Sequence, residues 1–165
     1  MFKQLIVGDA THEMVTTRRI LERLPEEHMS WRPHEKSMTL FELATHLINL
    51  LNWQIAIFQY TEFDLSSVPQ RREPLEKRSD VLDEFDANVG KLEKLLAECD
   101  EKTLSEEWTL RHGDHIIRRE PRAIAFRAFG LNHMIHHRAQ LGVYLRLLDI
   151  SVPGIYGPSA DEEAQ

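Results

Sequence analysis

The sequence predicts an all-α protein: a four-helix bundle with long connectors and a small hairpin before the last helix. Three observations carry that reading. Four long segments repeat apolar residues at three- and four-residue spacing, the mark of amphipathic helices. Start and stop signals bound these segments, among them Pro25, the Thr39–Glu42 pair and Pro121. Histidines also fall on the apolar stripes of two segments, as in bundles that build sites from inward side chains on facing helices.

The first helix is expected over residues 2–24, with Leu5, Ile6, Met14, Val15, Ile20, Leu21 and Leu24 on its apolar side and Gly8 as a weak point. Pro25 ends it. A connector over 26–38 contains Trp31-Arg32-Pro33, where the proline biases its predecessor away from helix. Thr39-Leu40-Phe41-Glu42 reads as a capping box that opens the second helix, running to about Tyr60. There Leu43, His46, Leu50, Trp53 and Ile57 share one stripe, while Thr45, Asn49 and Asn52 lie on the polar side.

Residues 61–78 are polar, include Pro69 and Pro74, and read as a long loop near a substrate entrance. Ser79 is placed to cap a third helix whose Val81, Leu82, Phe85, Val89, Leu92, Leu95, Leu96 and Cys99 form an apolar face. Trp108-Thr109-Leu110 and His115-Ile116-Ile117-Arg118 flank the turn His112-Gly113-Asp114, a small-hairpin pattern inside a connector. Pro121 suits the first residue of the last helix, expected to run to about Leu148 with Phe126, Phe129, His133, His137, Leu141, Tyr144 and Leu148 inward. Pro153, Gly154, Gly157 and Pro158 break it, and the last residues, Glu162 to Gln165, are expected to fray.

At 165 residues the chain reads as one domain, 1–165, able to bury a core without staples. The net charge of −7 argues against broad nucleic-acid binding, which needs a positive surface. Arg71-Arg72 and Arg118-Arg119 are local exceptions beside Glu and read as solvated turns. The single cysteine, Cys99, excludes an internal disulfide and reads as a buried apolar residue in a reducing cytosol. No apolar run suits a signal peptide or a membrane span, so a cytoplasmic protein is expected, with no membrane partner.

The chemistry concentrates in Asn132-His133-Met134-Ile135-His136-His137-Arg138-Ala139-Gln140. His133 and His137, four apart, project within about 40° of each other on a helix. His46 is inward on another helix, and three imidazoles leave a divalent metal open to water or substrate. The plain alternative is three core histidines, each with its own hydrogen-bond partner. His136 is the rival within the motif, but the stripe of Phe126, Phe129 and Leu141 favours His137. His12, His28, His34, His112 and His115 stand in polar or connector contexts. Asn49 and Gln140, each within a turn of a candidate ligand, could fix a ring tautomer.

Trp31-Arg32-Pro33, the run from Ser37 to Leu47, the run from Asn132 to Leu141 and the tail from Val152 to Asp161 together resemble the DinB-like family, within the wider YfiT/DinB superfamily. The resemblance implies a bundle with up-down-down-up connectivity, often a homodimer. It also implies a divalent ion, zinc or nickel, held by His46, His133 and His137, with His136 a non-ligand. Related proteins include thiol S-transferases that use low-molecular-weight thiols and a thiol-dependent isomerase. The expected function is therefore a metal-dependent enzyme of transferase or hydrolase type acting on a small molecule. The alternative is a non-catalytic metal- or small-molecule-binding bundle.

Overall fold

A computed structural model describes residues 2–68 and 75–162. Among them, four long helices form the frame: α1 (Phe2–Leu21), α2 (Leu40–Gln59), α3 (Arg78–Glu98) and, at the end of the chain, α6 (Asn132–Leu147). Helix α2 packs against both α3 and α6, and α1 closes the ring by packing against the same two. Two short helices, α4 (Glu101–Ser105) and α5 (Arg122–Ala125), bracket a hairpin of β2 (Glu107–His112) and β3 (His115–Pro121).

The start of α2 shows how sequence becomes local structure. Thr39 Oγ1 accepts from Glu42 N at 3.2 Å, and the Glu42 carboxylate accepts from Thr39 N at 2.7 Å, so both halves of the capping box form. The next free N–H groups turn back to the connector: Leu40 N donates to Trp31 O and Phe41 N to Met29 O. At the other end the buried Arg122 guanidinium donates to the carbonyls of Ile57 and Tyr60, satisfying acceptors that the last turn of α2 leaves free. Leu40, Leu43, Leu47, Ile48, Leu50 and Leu51 fill the core between these ends.

Several sequence expectations change. On α1, Ile6, Met14, Ile20 and Leu21 are buried, but Leu5 and Val15 face solvent. Their places on the inner side go to Glu13, Thr16 and Thr17, whose polar groups have buried partners. Thr45 is not on a solvated face: it is buried, and its hydroxyl accepts from Leu75 N. Ser79 does not cap α3, which begins at Arg78 with Lys77 at the cap position and no side-chain bond there. The segment after α2 is more than a loop, since β1 (Glu62–Asp64) pairs in parallel with β2, Phe63 opposite Leu110. The hairpin is therefore part of a three-stranded sheet in the order β1-β2-β3. Gly113, at φ +57°, occupies the first position of its two-residue turn, where a mirror-image turn needs a left-handed residue. Asp64 anchors that turn by accepting from Gly113 N at 3.0 Å.

Arg118 and Arg119 lie in β3, exposed but on a strand instead of a turn. Pro69, Arg71, Arg72 and Pro74, and the terminal residues beyond Glu162, lie outside the described residues. Cys99 is buried at the end of α3, and burial raises its thiol pKa, in keeping with the structural reading.

Pro121 closes β3 and stands at the cap of α5, one residue before its expected place. The last helix is not α-helical throughout: Phe126–Leu131 is a π-helical segment between α5 and α6. Gly130 sits in this segment against Gln54, which is fully buried on α2. A Cβ at Gly130 would lie 2.7 Å from Gln54 Cγ, with Phe126 at 3.6 Å. The missing Cβ thus leaves room for the Gln54 side chain against the π segment. Gly130→Ala is expected to destabilise the fold by about 1–3 kcal/mol through overpacking, measured by chemical denaturation against wild type.

Candidate metal centre

His46 comes from the second turn of α2; His133 and His137 come from the first two turns of α6. All three point into the seam between these helices, and one nitrogen from each lies within 4.8 Å of the other two. The ring centroids are 4.5 Å apart for His46 and His137, 4.8 Å for His133 and His137, and 5.5 Å for His46 and His133. His136 does not join them. It is exposed, with its ring edge against His137 at 4.8 Å. The remaining five histidines are exposed too, and among the described residues this trio is the sole cluster of metal-ligating side chains.

The electrostatics favour bare imidazoles. Burial pushes the pKa of His46 down from 6.5 to about 4, and the neighbouring His137 and His133 push it the same way. His133 is likewise lowered to about 4, first by burial and then by His137 and His136. His137 is lowered by burial, against the opposing pull of Gln140. Gln140 Oε1 lies 2.8 Å from His137 Nδ1. With the amide oxygen accepting, Nδ1 carries the proton and Nε2 keeps its lone pair for the cluster. Asn49, the other candidate for this role, makes no side-chain hydrogen bond among the described residues.

The donor set fits a divalent ion. His133 Nε2 and His137 Nε2 face each other at 3.0 Å. Zinc–nitrogen bonds of ~2.0–2.1 Å place tetrahedral ligands roughly 3.3 Å apart, a few tenths of an ångström from that separation. Two neutral nitrogens at this distance must share a proton or a cation, because two lone pairs facing each other repel.

An aromatic wall stands beside the trio. Trp53 and Phe129 stack at 5.2 Å with their planes 5° apart. Trp53 lies 6.1 Å from His46 and 6.3 Å from His133, and Phe129 lies 6.1 Å from His133. Phe63 of β1 and Trp108 of β2 extend the wall from the sheet. Trp53 and Phe129 are legible as members of the helical stripes. Phe63 is not, because a three-residue strand has no periodicity to read. Trp108 carries a strand-like signal, but nothing local shows which face it presents.

The chain belongs to the DinB family, whose model matches residues 6–165. Two solved structures are similar to it. A DinB-like protein from Bacillus cereus ATCC 10987 is 22% identical, with 94% of this chain and 100% of that one covered at a TM-score of 0.72. A DinB-like protein from Bacillus subtilis is 21% identical, with 92% and 96% covered at a TM-score of 0.71. At these identities the likeness shows the fold alone. No curated protein matches the chain.

Two predictions follow from the geometry. His136→Ala is expected to retain the metal content of the wild type, whereas His46→Ala, His133→Ala and His137→Ala each lose most of it, read by elemental analysis after dialysis. In the metal-free protein, the depressed pKa values mean that the unfolded state binds more protons than the folded state between about pH 6.5 and pH 4. Stability therefore rises with pH across that window and falls on acidification. Thermal melts with chelator at pH 7 and pH 5 should show a larger loss for wild type than for a His46→Gln/His133→Gln double variant.

Proposed function

We propose that this chain is a metal-dependent enzyme, of thiol S-transferase or hydrolase-like type, in which His46, His133 and His137 hold a divalent ion. Zinc and nickel are the proposed ions, since three neutral imidazoles suit several first-row metals. The observation that carries the reading is the convergence of three nitrogens within 4.8 Å, with burial lowering the pKa of each imidazole. A set of three protein ligands is the open, catalytic kind, while structural zinc sites fill four positions with side chains. A bound divalent ion would supply Lewis acidity, lowering the pKa of a thiol or water beside it.

The chain's own groups have separable parts in this scheme. Gln140 fixes the tautomer of His137, leaving Nε2 free to bind. Trp53, Phe129 and Phe63 exclude water on one side and offer an apolar face to the carbon skeleton of a substrate. His46 and His133 are only half-buried, which leaves an approach for a small molecule. The proposed partners are a low-molecular-weight thiol and a small electrophile, and the proposed assembly is the homodimer that family membership suggests. Among the described residues no helix is long and apolar enough to cross a membrane.

One observation favours a second reading, a non-catalytic metal- or small-molecule-binding bundle. No carboxylate or thiol joins the cluster among the described residues. The two readings separate by turnover. Zinc- and nickel-loaded protein should accelerate the conjugation of small thiols to a model electrophile, and His137→Ala should reduce the rate at least tenfold. Equal rates for the two proteins, with metal present in the wild type, would leave the binding reading in place.

A further inference from the structure

We infer that Arg138, together with Glu13 and Tyr156, is a rotational key that sets the angle of α6 and thereby positions His133 and His137. The inference rests on the reading of the three histidines as a metal centre. With a Cα radius of ~2.3 Å and a side chain reaching about 4.5 Å further, a histidine Nε2 on α6 sits roughly 7 Å from the helix axis. Each degree of helix rotation then sweeps that atom by about 0.12 Å. Metal–ligand distances are held to about ±0.2 Å, so a rotation of α6 by more than a few degrees has to be taken up by the histidine torsions at a cost in energy.

Apolar packing does not supply that definition by itself, because dispersion and burial are not directional. Met134, Leu141 and Leu145 bury one side of α6 against the core without fixing its angle by bonds. Arg138 supplies the bonds. It follows His137 directly, projects about 100° away around the axis, and is almost fully buried against α1. Its Nη1 lies 2.6 Å from Glu13 Oε2, an ion pair off the hydrogen-bond direction, and donates to Thr16 Oγ1 at 2.5 Å and to Thr17 Oγ1 and Glu13 O at 3.3 Å. Its Nη2 donates to the Tyr156 hydroxyl at 3.0 Å, and that hydroxyl donates to Glu13 Oε1 at 2.7 Å.

The guanidinium is thus fixed by partners on one helix and on the C-terminal tail. A planar fork held at both ends resists rotation in a way that a single ion pair does not. Glu13 is nine-tenths buried as well, so the pair cannot swing into solvent to relieve a change in angle. Tyr156 is the member that can be altered gently. Its ring is exposed, and removing only its hydroxyl deletes one bond to each of the other two.

The test uses Tyr156→Phe in the full chain, with Val81→Ala as a control that weakens the core at α3 without touching the key or the ligands. Cobalt(II) titration and the visible spectrum read the loaded centre; histidine ring resonances of the metal-free protein read the same geometry without metal. Tyr156→Phe is expected to weaken cobalt affinity on the order of tenfold, to move the visible bands, and to shift the ring resonances of His46, His133 and His137. Val81→Ala should lower Tm at least as much and leave all three readouts at wild-type values. Wild-type affinity, bands and resonances in Tyr156→Phe would overturn the inference. So would equal changes in Val81→Ala, since the effect would then be general loosening. If wild type takes up no cobalt, the metal reading fails and the metal-free ring resonances alone decide this one.

Discussion

The constraint on which the structure turns is the desolvation of three imidazoles in one seam. Buried imidazole is tolerated when it is neutral and its nitrogens have partners. Here neutrality is enforced by burial and by mutual repulsion among the rings, and one outer nitrogen is satisfied by Gln140. The inner nitrogens have only each other. A protein assembled for stability alone would gain by filling that seam with leucines, as it does along the rest of α2. Retaining three histidines there makes sense if the seam accepts a positive charge.

Much of the remaining architecture holds two helices in a fixed relation across that seam. The capping box and the connector carbonyls seat the start of α2, one turn before His46. Arg122 seats its end. The small sheet supports the far side of the aromatic wall, with β1 and β2 contributing Phe63 and Trp108. Asp64 ties β1 to the hairpin turn, and its carboxyl pKa is held down to about 2, first by the Ser66 hydroxyl and then by backbone N–H groups. The sheet thus continues from the end of α2 that Arg122 seats, and it reaches the aromatic wall through Phe63 and Trp108.

The helical frame and the convergence of the three histidines were legible in the sequence for one physical reason: period-3.6 patterning reports directly on which side chains share a face. His46 lay in line with Leu43, Leu50 and Trp53, and His133 and His137 with Phe129 and Leu141, so their inward direction could be read locally. Polar residues whose environment comes from elsewhere in the chain were not legible. Thr45, read as solvated, is buried because Leu75 brings it a donor. Nothing local to Glu13 or Arg138 carries their pairing, and only the fold shows that they meet across 125 residues. Leu5 and Val15 fit an apolar face by hydropathy, yet the inner angle of α1 is claimed by the polar contacts of Glu13, Thr16 and Thr17. The parallel strand β1 is too short to carry a pattern, and the π-helical turn, where Gly130 lies against Gln54, carries no periodic signal of its own.

That π-helical turn gives the last helix a freedom that a uniform α-helix lacks. In an α-helix each residue advances the phase by 100°, so fixing the angle of one end fixes the other. Arg122 on α5 has to face the end of α2, while His133 and His137 on α6 have to face its beginning. The wide turn at Phe126–Leu131 absorbs a phase difference between these two demands, much as a stutter does in a coiled coil. It works as a phase adaptor, so the Arg122 end of the helix can change its angle without turning His133 and His137 away from His46.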